Sequence, residues 1–212
     1  MKAKRFDLRK LVTLAMLGGI IVMLQATGIG MIPLPTFKLT ILHIPVILGA
    51  ILLGPGSGAF LGLVFGLCSV WANTTSPNPL TSMFFSPFMT MTGAIGAAKA
   101  VWVSIGGRML FGVLTGLLWK LLQKLGAKDY IGLPTTAAVS TVLHTALVLG
   151  SICVLFPNEY AQVNETTVDA LFVIVGTTIA TNGIIEAIVA AVLTTIVGKA
   201  LLHFMERTKR RQ

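Results

Sequence analysis

The sequence predicts an all-α integral membrane protein with six transmembrane helices, both termini in the cytoplasm and structured outer loops one and three. Of the 212 residues, 55% are hydrophobic and only 11% are charged, and the mean hydropathy is +0.88. The apolar residues form long runs, and the basic residues concentrate between and beyond those runs. This composition is typical of polytopic membrane proteins. One domain, residues 1–212, accounts for the whole length.

The segment from Leu39 to Leu67 contains the clearest pair of helices, two apolar stretches joined by a glycine-rich turn. It has no Asp, Glu, Lys or Arg, so neither helix has a polar face to turn to water. Gly58, Gly62 and Gly66 recur at every fourth residue of the second helix. Small residues at this spacing let neighbouring backbones approach closely, which predicts tight helix packing within a membrane.

Six apolar stretches are the predicted spans. The first follows a basic N-terminus and is too long for the apolar core of a signal peptide, so we interpret it as a retained helix. Pro45 lies inside the second and predicts a kink near its start. The apolar stretch Val168–Val175 either extends the last span or lies along the membrane interface. The spans are residues 11–29, 39–53, 58–72, 101–122, 133–155 and 177–202.

The basic residues predict the orientation of the spans. An even number of spans places both termini on one side, and basic segments stay in the cytoplasm. The outer loops hold few cations, Lys38 and Lys99. The net charge of +9 therefore reflects orientation in the membrane and not nucleic-acid binding. Thirteen of the 16 Lys and Arg residues lie on the cytoplasmic side: Lys2, Lys4, Arg5, Arg9, Lys10, Lys120, Lys124, Lys128, Lys199, Arg207, Lys209, Arg210 and Arg211.

Two outer loops have the composition of structured caps. The loop from Asn73 to Ala100 is the third loop along the chain, and we call it the third outer loop. It is long and contains three prolines, and loops of this length are usually functional or disordered. Its aromatic residues Phe84, Phe85 and Phe88 argue against disorder, because disordered segments seldom carry such an apolar cluster. The first outer loop also mixes prolines with apolar residues.

We single out three ionisable residues inside predicted spans, where a charge is costly and usually functional. They are Arg108 in span four, His144 in span five and Glu186 in span six. Each belongs to a stripe of polar and small residues four apart, and the three stripes predict a pocket that opens outward. The stripes are Ser104, Arg108, Gly112 and Gly116; Thr136, Ser140 and His144; and Thr178, Asn182, Glu186, Ala190 and Thr194.

Arg108 is the most specific indication of what this pocket binds. A guanidinium keeps its proton and offers a planar fork matched to a carboxylate, so the pocket favours an anionic ligand. An ion pair of Arg108 with Glu186 that only holds the helices together is the alternative. For His144 the alternative is a packing role with a hydrogen bond to a backbone carbonyl.

Further residues complete the candidate site. We expect Asn73, Ser82 and Asn182 to recognise hydroxyl and amide groups of the ligand. Phe85 and Lys38, one in each outer loop, are additional candidate ligand contacts.

The motifs of catalysis are missing from the sequence. The segment GPGSGAF lacks the lysine of a phosphate-binding loop, and neither H-E-x-x-H nor G-x-S-x-G occurs. The sequence therefore predicts no enzyme, no cofactor and no metal site. Cys68 and Cys153 lie in apolar segments without metal-binding spacing. They either form a disulfide or are two buried thiols.

A stand-alone proton-coupled carrier is an alternative function for the whole chain. In that alternative, Glu186 and His144 form the proton relay.

The chain resembles a known family, the substrate-binding S components of energy-coupling factor (ECF) vitamin transporters. The resemblance rests on the six spans, the long outer loops and the block LHIPVILGAILLGPGSGAFLGLVFGL at residues 42–67. The segment TSMFFSPF at 81–88 and the pair Asn182-x-x-x-Glu186 add to it. Within the family the chain is most similar to the pantothenate type.

The resemblance implies a multi-pass protein of the bacterial cell membrane that binds a vitamin among spans four to six, under loops one and three. It also implies partners, a transmembrane scaffold (T) subunit and two ATPase subunits. Docking on the scaffold is implied for the small residues Ala15 and Gly19 of span one. Pantothenate is the expected ligand, and S components for folate, biotin, riboflavin or pyridoxine-type vitamins are the alternatives.

Overall fold

The computed structural model describes residues 8–33, 38–78 and 81–209. In these ranges the chain is a helical bundle with one short antiparallel ribbon, in which Met31 pairs with Thr40. The predicted helical class is confirmed. The elements are α1 Leu8–Thr27, β1 Met31–Pro33, β2 Lys38–Thr40, α2 Ile44–Leu53, α3 Pro55–Thr75, α4 Ser82–Phe85, α5 Gly93–Val101, α6 Gly107–Lys124, α7 Asp129–Leu155, α8 Pro157–Val163, α9 Val168–Thr178 and α10 Ile184–Lys209.

Five of the described helical segments are long and apolar enough to cross a membrane. They are α1, α3, the joined α5 and α6, α7, and the joined α9 and α10. The remaining predicted span, the second along the chain, corresponds to α2, which has ten residues. At a rise of about 1.5 Å per residue such a helix covers about half of a hydrocarbon core of about 30 Å. Eight of its ten residues are buried, so α2 is a core helix of the bundle.

The second predicted span was wrong at its start. Residues 38–40 form β2, and the helix begins only at Ile44. Pro45 therefore lies in the first turn of α2, where its missing N–H would have had no partner within the helix. The predicted kink at Pro45 was wrong for the same reason.

Two predicted spans extend further toward the outer loops. A single helical path runs from Gly93 to Lys124, so part of the predicted third outer loop is helical. A second path runs from Val168 to Lys209, so the apolar stretch at 168–175 extends the last span. Each path contains one π turn, Trp102–Gly106 between α5 and α6 and Ile179–Gly183 between α9 and α10. The remaining predicted spans agree with α1, α3 and α7 within a few residues at each end.

Helices α3 and α6 pack backbone against backbone. A Cβ atom added at Gly62 would overlap with the carbonyl oxygen of Arg108, and one added at Gly58 would overlap with that of Gly112. At Gly66 the added atom would lie 2.7 Å from the carbonyl oxygen of Ser104. The glycine face predicted from the sequence therefore contacts α6, and it fixes the height of Arg108 in the bundle.

The ribbon, α4 and α8 lie at one end of the bundle, which we call the ribbon end. The third outer loop is anchored there by aromatic contacts: the ring of Phe84 lies 5.4 Å from that of Phe156 and 5.6 Å from that of Tyr160. The ammonium group of Lys99 lies 5.5 Å from the centre of the Phe156 ring. This packing accounts for the order expected from the loop's aromatic residues.

Candidate ligand-binding site

Arg108 lies on α6, two residues after the first π turn, with 7% of its surface exposed. Its Nη1 donates hydrogen bonds to the carbonyl oxygens of Ser104, at 2.8 Å, and Val103, at 3.3 Å. The guanidinium carbon lies 4.6 Å from the ring centre of Phe65 and 5.5 Å from that of Phe85. Aromatic faces and backbone carbonyls stabilise a cation in part, but they do not neutralise it.

No carboxylate neutralises Arg108 within the described residues. Its hydrogen bonds go to carbonyls of its own helix, and its buried Nε has no partner there. An ion pair between Arg108 and Glu186, one of the two interpretations drawn from the sequence, is not formed. A buried and unneutralised guanidinium is strongly unfavourable by itself, so this position favours an anion from outside the chain.

Glu186 lies on α10, three residues after the second π turn, and is also 7% exposed. Its Oε1 accepts a hydrogen bond of 2.9 Å from the backbone N–H of Thr40 in β2. Glu186 itself lies on α10, and α10 packs against α7. Glu186 therefore joins the ribbon to α10.

His144 lies on α7 in an aromatic enclosure. The centre of its ring is 4.9 Å from that of Phe111, 5.7 Å from that of Phe65 and 5.7 Å from that of His43. Its buried Nε2 has no hydrogen-bond partner among the described residues. Because Phe65 contacts both Arg108 and His144, the structure brings these two predicted site residues together.

His43 is a member of this cluster that the sequence analysis did not single out. It lies between β2 and α2, is 1% exposed, and its Nε2 is 3.0 Å from Oγ1 of Thr141. A lone histidine in an otherwise uncharged apolar segment was the available signal. It was missed although it lies inside the second predicted span, residues 39–53.

Asn73 and Ser82 bond to each other at the ribbon end. The Ser82 hydroxyl donates to Oδ1 of Asn73 at 3.0 Å, and Nδ2 of Asn73 donates to the carbonyl of Ser69 at 2.9 Å. The hydroxyl oxygen of Ser82 also accepts the N–H of Asn78 at 2.8 Å. These bonds hold the third outer loop against the end of α3. The structure does not bring either residue together with Arg108.

Of the remaining predicted ligand contacts, Phe85 lies next to Arg108 and Asn182 lies near Glu186. Phe85 lies against Arg108, as described above. Asn182 is half-buried in the second π turn, one helical turn before Glu186, and its Oδ1 accepts a weak bond of 3.4 Å from the Thr181 hydroxyl. The side chain of Lys38 lies outside the described residues.

The side chains of the cluster around Arg108 are buried: Arg108 is 7% exposed, His144 6% and His43 1%. Two cavities in the described part of the chain lie elsewhere: one of about 290 Å³ beside Trp102 and Ser151, and one of about 550 Å³ beside Asp129 and Lys199. Neither is lined by Arg108 or Glu186. A ligand that reaches Arg108 therefore has to displace side chains or the ribbon end.

Residues 9–198 match the family model described as "ECF transporter, substrate-specific component". The chain belongs to this family. This substrate-specific component is 37% identical over 170 residues, 80% of either chain, to the pantothenic acid transporter PanT of Lactococcus lactis subsp. cremoris strain MG1363. The family resemblance drawn from the sequence, including the pantothenate type, is confirmed. The family and this relative are transporters, not enzymes. Together with the five long apolar helices, they make the chain a multi-pass membrane protein of a family found in bacteria.

One face of α1 in this substrate-specific component is open. Leu17, Gly18 and Ile21 pack into the bundle, whereas the predicted docking residues Ala15 and Gly19 are exposed. A Cβ atom added at Gly19 would meet nothing within 4 Å. Ala15 and Gly19 are therefore not used for packing within the described part of the chain.

The two cysteines are free thiols, and both are buried. Of the two states that the sequence left open, the structure has the unpaired one. Within the described ranges no three His, Cys, Asp or Glu side chains lie together as metal ligands would.

Proposed function

We propose that this substrate-specific component captures a small anionic vitamin, pantothenate, from outside the cell and delivers it for ATP-driven uptake with partner subunits. The observation that carries the proposal is Arg108, a buried guanidinium without a carboxylate partner among the described residues. A ligand carboxylate supplies the missing charge and the bidentate geometry that a guanidinium prefers.

The ligand chemistry favours pantothenate over the alternatives. Pantothenate combines a carboxylate with hydroxyl and amide groups, and the similar protein from Lactococcus is named for pantothenic acid. Folate and biotin are also anionic and remain alternatives. Riboflavin and pyridoxine-type vitamins lack a carboxylate and would leave Arg108 without a counterion.

The proposed topology has six membrane crossings with both termini in the cytoplasm, which places the ribbon end outside. The long helices account for five crossings. We propose that β2 and α2 together form the remaining one, with α2 shielded from lipid by its neighbours. The concentration of Lys and Arg at the opposite end of the bundle supports this orientation.

The proposed partners are a transmembrane scaffold subunit and two ATPases. The chain has no phosphate-binding loop of its own, so uphill uptake needs an external source of energy. The exposed face with Ala15 and Gly19 suits close contact with a scaffold helix, because small residues let two backbones approach.

The test is calorimetric titration of the purified protein with pantothenate and with pantothenol, in which an alcohol replaces the carboxylate. We expect one-to-one binding of pantothenate and an affinity for pantothenol at least about 100-fold lower, the equivalent of about 3 kcal/mol. Equal binding of the two compounds would contradict the proposal. Mass spectrometry of the small molecules that copurify with the protein tests the choice of vitamin independently.

A transport assay separates this function from a proton-coupled carrier. We expect vesicles that hold this chain alone to accumulate no pantothenate, and vesicles that also hold the scaffold and ATPases to accumulate it with ATP. Ala15→Leu with Gly19→Leu should abolish uptake and leave pantothenate affinity unchanged. Uptake by the chain alone under a pH gradient would instead support a relay through Glu186 and His144.

A further inference from the structure

The hydrogen bonds around His43 determine which of its nitrogen atoms carries the proton. The hydroxyl of Thr141 donates its proton to the carbonyl oxygen of Ala137 at 2.8 Å. A hydroxyl has one proton, so both bonds form together only when its oxygen accepts the bond of 3.0 Å from Nε2 of His43. His43 is thus the tautomer with the proton on Nε2, and its Nδ1 presents a bare lone pair.

This lone pair has no hydrogen-bond donor within the described residues. His43 is 1% exposed, and its Nδ1 is buried and without a partner. A buried acceptor left unsatisfied costs about 1–3 kcal/mol, and buried polar groups in native proteins nearly always have a partner. The donor that completes Nδ1 therefore comes from outside this part of the chain.

The surroundings of His43 connect it to Arg108. The imidazole stacks on that of His144, with 5.7 Å between ring centres and 15° between ring planes. Phe65 contacts both His144, with 5.7 Å between ring centres, and Arg108, whose guanidinium carbon lies 4.6 Å from the centre of the Phe65 ring. Arg108 has an unpartnered donor, Nε–H. The same buried cluster thus offers an unsatisfied acceptor at His43 and an unsatisfied donor at Arg108.

We propose that His43 is a specificity-determining residue of the ligand site. Its Nδ1 accepts a hydrogen bond from a hydroxyl or amide N–H of the ligand, while Arg108 holds the ligand's carboxylate. The inference rests on the proposed function and narrows its ligand class to carboxylates that carry a second, donating group. Carboxylates without such a donor leave Nδ1 unsatisfied and are rejected for that reason.

A structural role for His43 makes a different prediction. If its function were to hold Thr141, the bond from Nε2 would be the important one, and Nδ1 would contribute nothing. Glutamine and asparagine separate the two roles, because a Gln amide reaches the Nε2 position and an Asn amide the Nδ1 position. Thr141→Val removes the same bond from the other side and leaves Nδ1 in place.

The experiment is calorimetric titration of pantothenate into the purified wild-type protein and the variants His43→Gln, His43→Asn and Thr141→Val, each first checked for cooperative thermal unfolding. We expect His43→Gln to bind about 10–100-fold more weakly, the loss typical of one buried hydrogen bond to a ligand. His43→Asn should stay within about fivefold of the wild-type affinity and Thr141→Val within about threefold.

Ligand analogues identify the group that donates to Nδ1. Each analogue lacks one donor: two are deoxy compounds, and in the third an ester replaces the amide. We expect the wild-type protein to bind one of them about 10–100-fold more weakly than pantothenate, and His43→Gln to bind that analogue and pantothenate alike. Additive losses in the variant and the analogue would overturn the proposal.

Two further outcomes would also overturn it. The first is an unchanged affinity of His43→Gln accompanied by lower thermal stability, which would mean that Nδ1 binds a structural water. The second is a loss in Thr141→Val as large as that in His43→Gln, which would make His43 a packing residue.

A failure of pantothenate to bind gives a different result from a failure of the inference about His43. If the wild-type protein does not bind pantothenate, the titrations are run with folate, biotin and octanoate, a carboxylate that has no other donor. Binding of folate or biotin with the predicted pattern of variants would remove pantothenate and keep the inference about His43. Octanoate binding as tightly as either vitamin, or no binding of either, would overturn the inference.

Discussion

Arg108 and Glu186 occupy similar positions with opposite consequences. Each lies within three residues of the end of a π turn in a long helix, and each is 7% exposed. The structure gives Glu186 a hydrogen bond from the backbone N–H of Thr40. Arg108 donates hydrogen bonds to carbonyl oxygens on its own helical path and contacts two aromatic rings, and none of the described residues gives it an opposite charge.

The difference indicates that Glu186 and Arg108 have different roles in the bundle. Glu186 uses its charge to hold the ribbon, so its role is completed by the chain itself. Arg108 is held at a fixed height by the glycine contacts between α3 and α6, and its charge remains available. A rigidly positioned, unneutralised cation favours the binding of an anion, because the guanidinium itself needs little reorganisation once the groups that cover it are displaced.

The largest expected effect is that of Arg108→Ala on pantothenate binding. We expect affinity to fall about 100–1,000-fold, because a buried charge pair is lost on one side only. Arg108→Lys should recover part of the loss, since an ammonium keeps the charge without the planar fork. Calorimetric titration measures both, and unchanged affinity of Arg108→Ala would remove Arg108 from the site.

Gly62→Ala tests the close packing of α3 on α6 that positions Arg108. The added Cβ would overlap with the carbonyl oxygen of Arg108, so we expect a loss of about 1–3 kcal/mol in the free energy of unfolding. Gly176→Ala on α9 is the matched control, because its Cβ would meet nothing within 4 Å. That variant should gain up to about 1 kcal/mol from helix propensity. Equal stabilities in chemical denaturation would show that α3 and α6 do not pack as described.

Glu186→Gln tests the other side of the comparison. An amide oxygen still accepts the N–H of Thr40, but more weakly, so we expect a loss of about 1 kcal/mol in the stability of the ribbon contact. Hydrogen exchange at the Thr40 amide should accelerate about fivefold. Pantothenate affinity should fall less than in Arg108→Ala, and a fall as large would contradict the proposed division of roles.

The smallest expected loss is at Thr194. Its hydroxyl is fully buried on α10 and has no hydrogen-bond partner among the described residues, so Thr194→Val removes an unsatisfied polar group and should raise the free energy of unfolding by about 1 kcal/mol. Thr141→Val should lose about 1 kcal/mol, because the Nε2–H of His43 loses its acceptor. Equal losses in thermal or chemical unfolding would mean that the Thr194 hydroxyl has a partner.

Much of the site was predictable from single positions. Arg108, His144 and Glu186 stood out because an ionisable residue in an apolar span requires a reason to be there. The glycine spacing at 58, 62 and 66 predicted a close helix contact, and Phe85 belonged to a loop too aromatic to be disordered. Each of these predictions depended on residue type and helical period alone.

The interpretations that failed or stayed open depended on contacts between distant segments. The pairing of β1 with β2 replaced the first residues of the second predicted span, and Pro45 became a first-turn residue. The apparent partner of Glu186 was a backbone N–H, at Thr40, which carries no signal in the sequence.

The sequence by itself determined that this chain spans a membrane, which family it belongs to and which helices carry charge. Hydropathy, helical period and family motifs are properties of local segments, and they survive without knowledge of packing. The tertiary structure decided that Arg108 and Glu186 have different partners, and that His43 joins Arg108 and His144 in one buried cluster. Hydrogen bonds and ring contacts depend on distances of a few ångströms between residues far apart in the chain, and folding alone sets those distances.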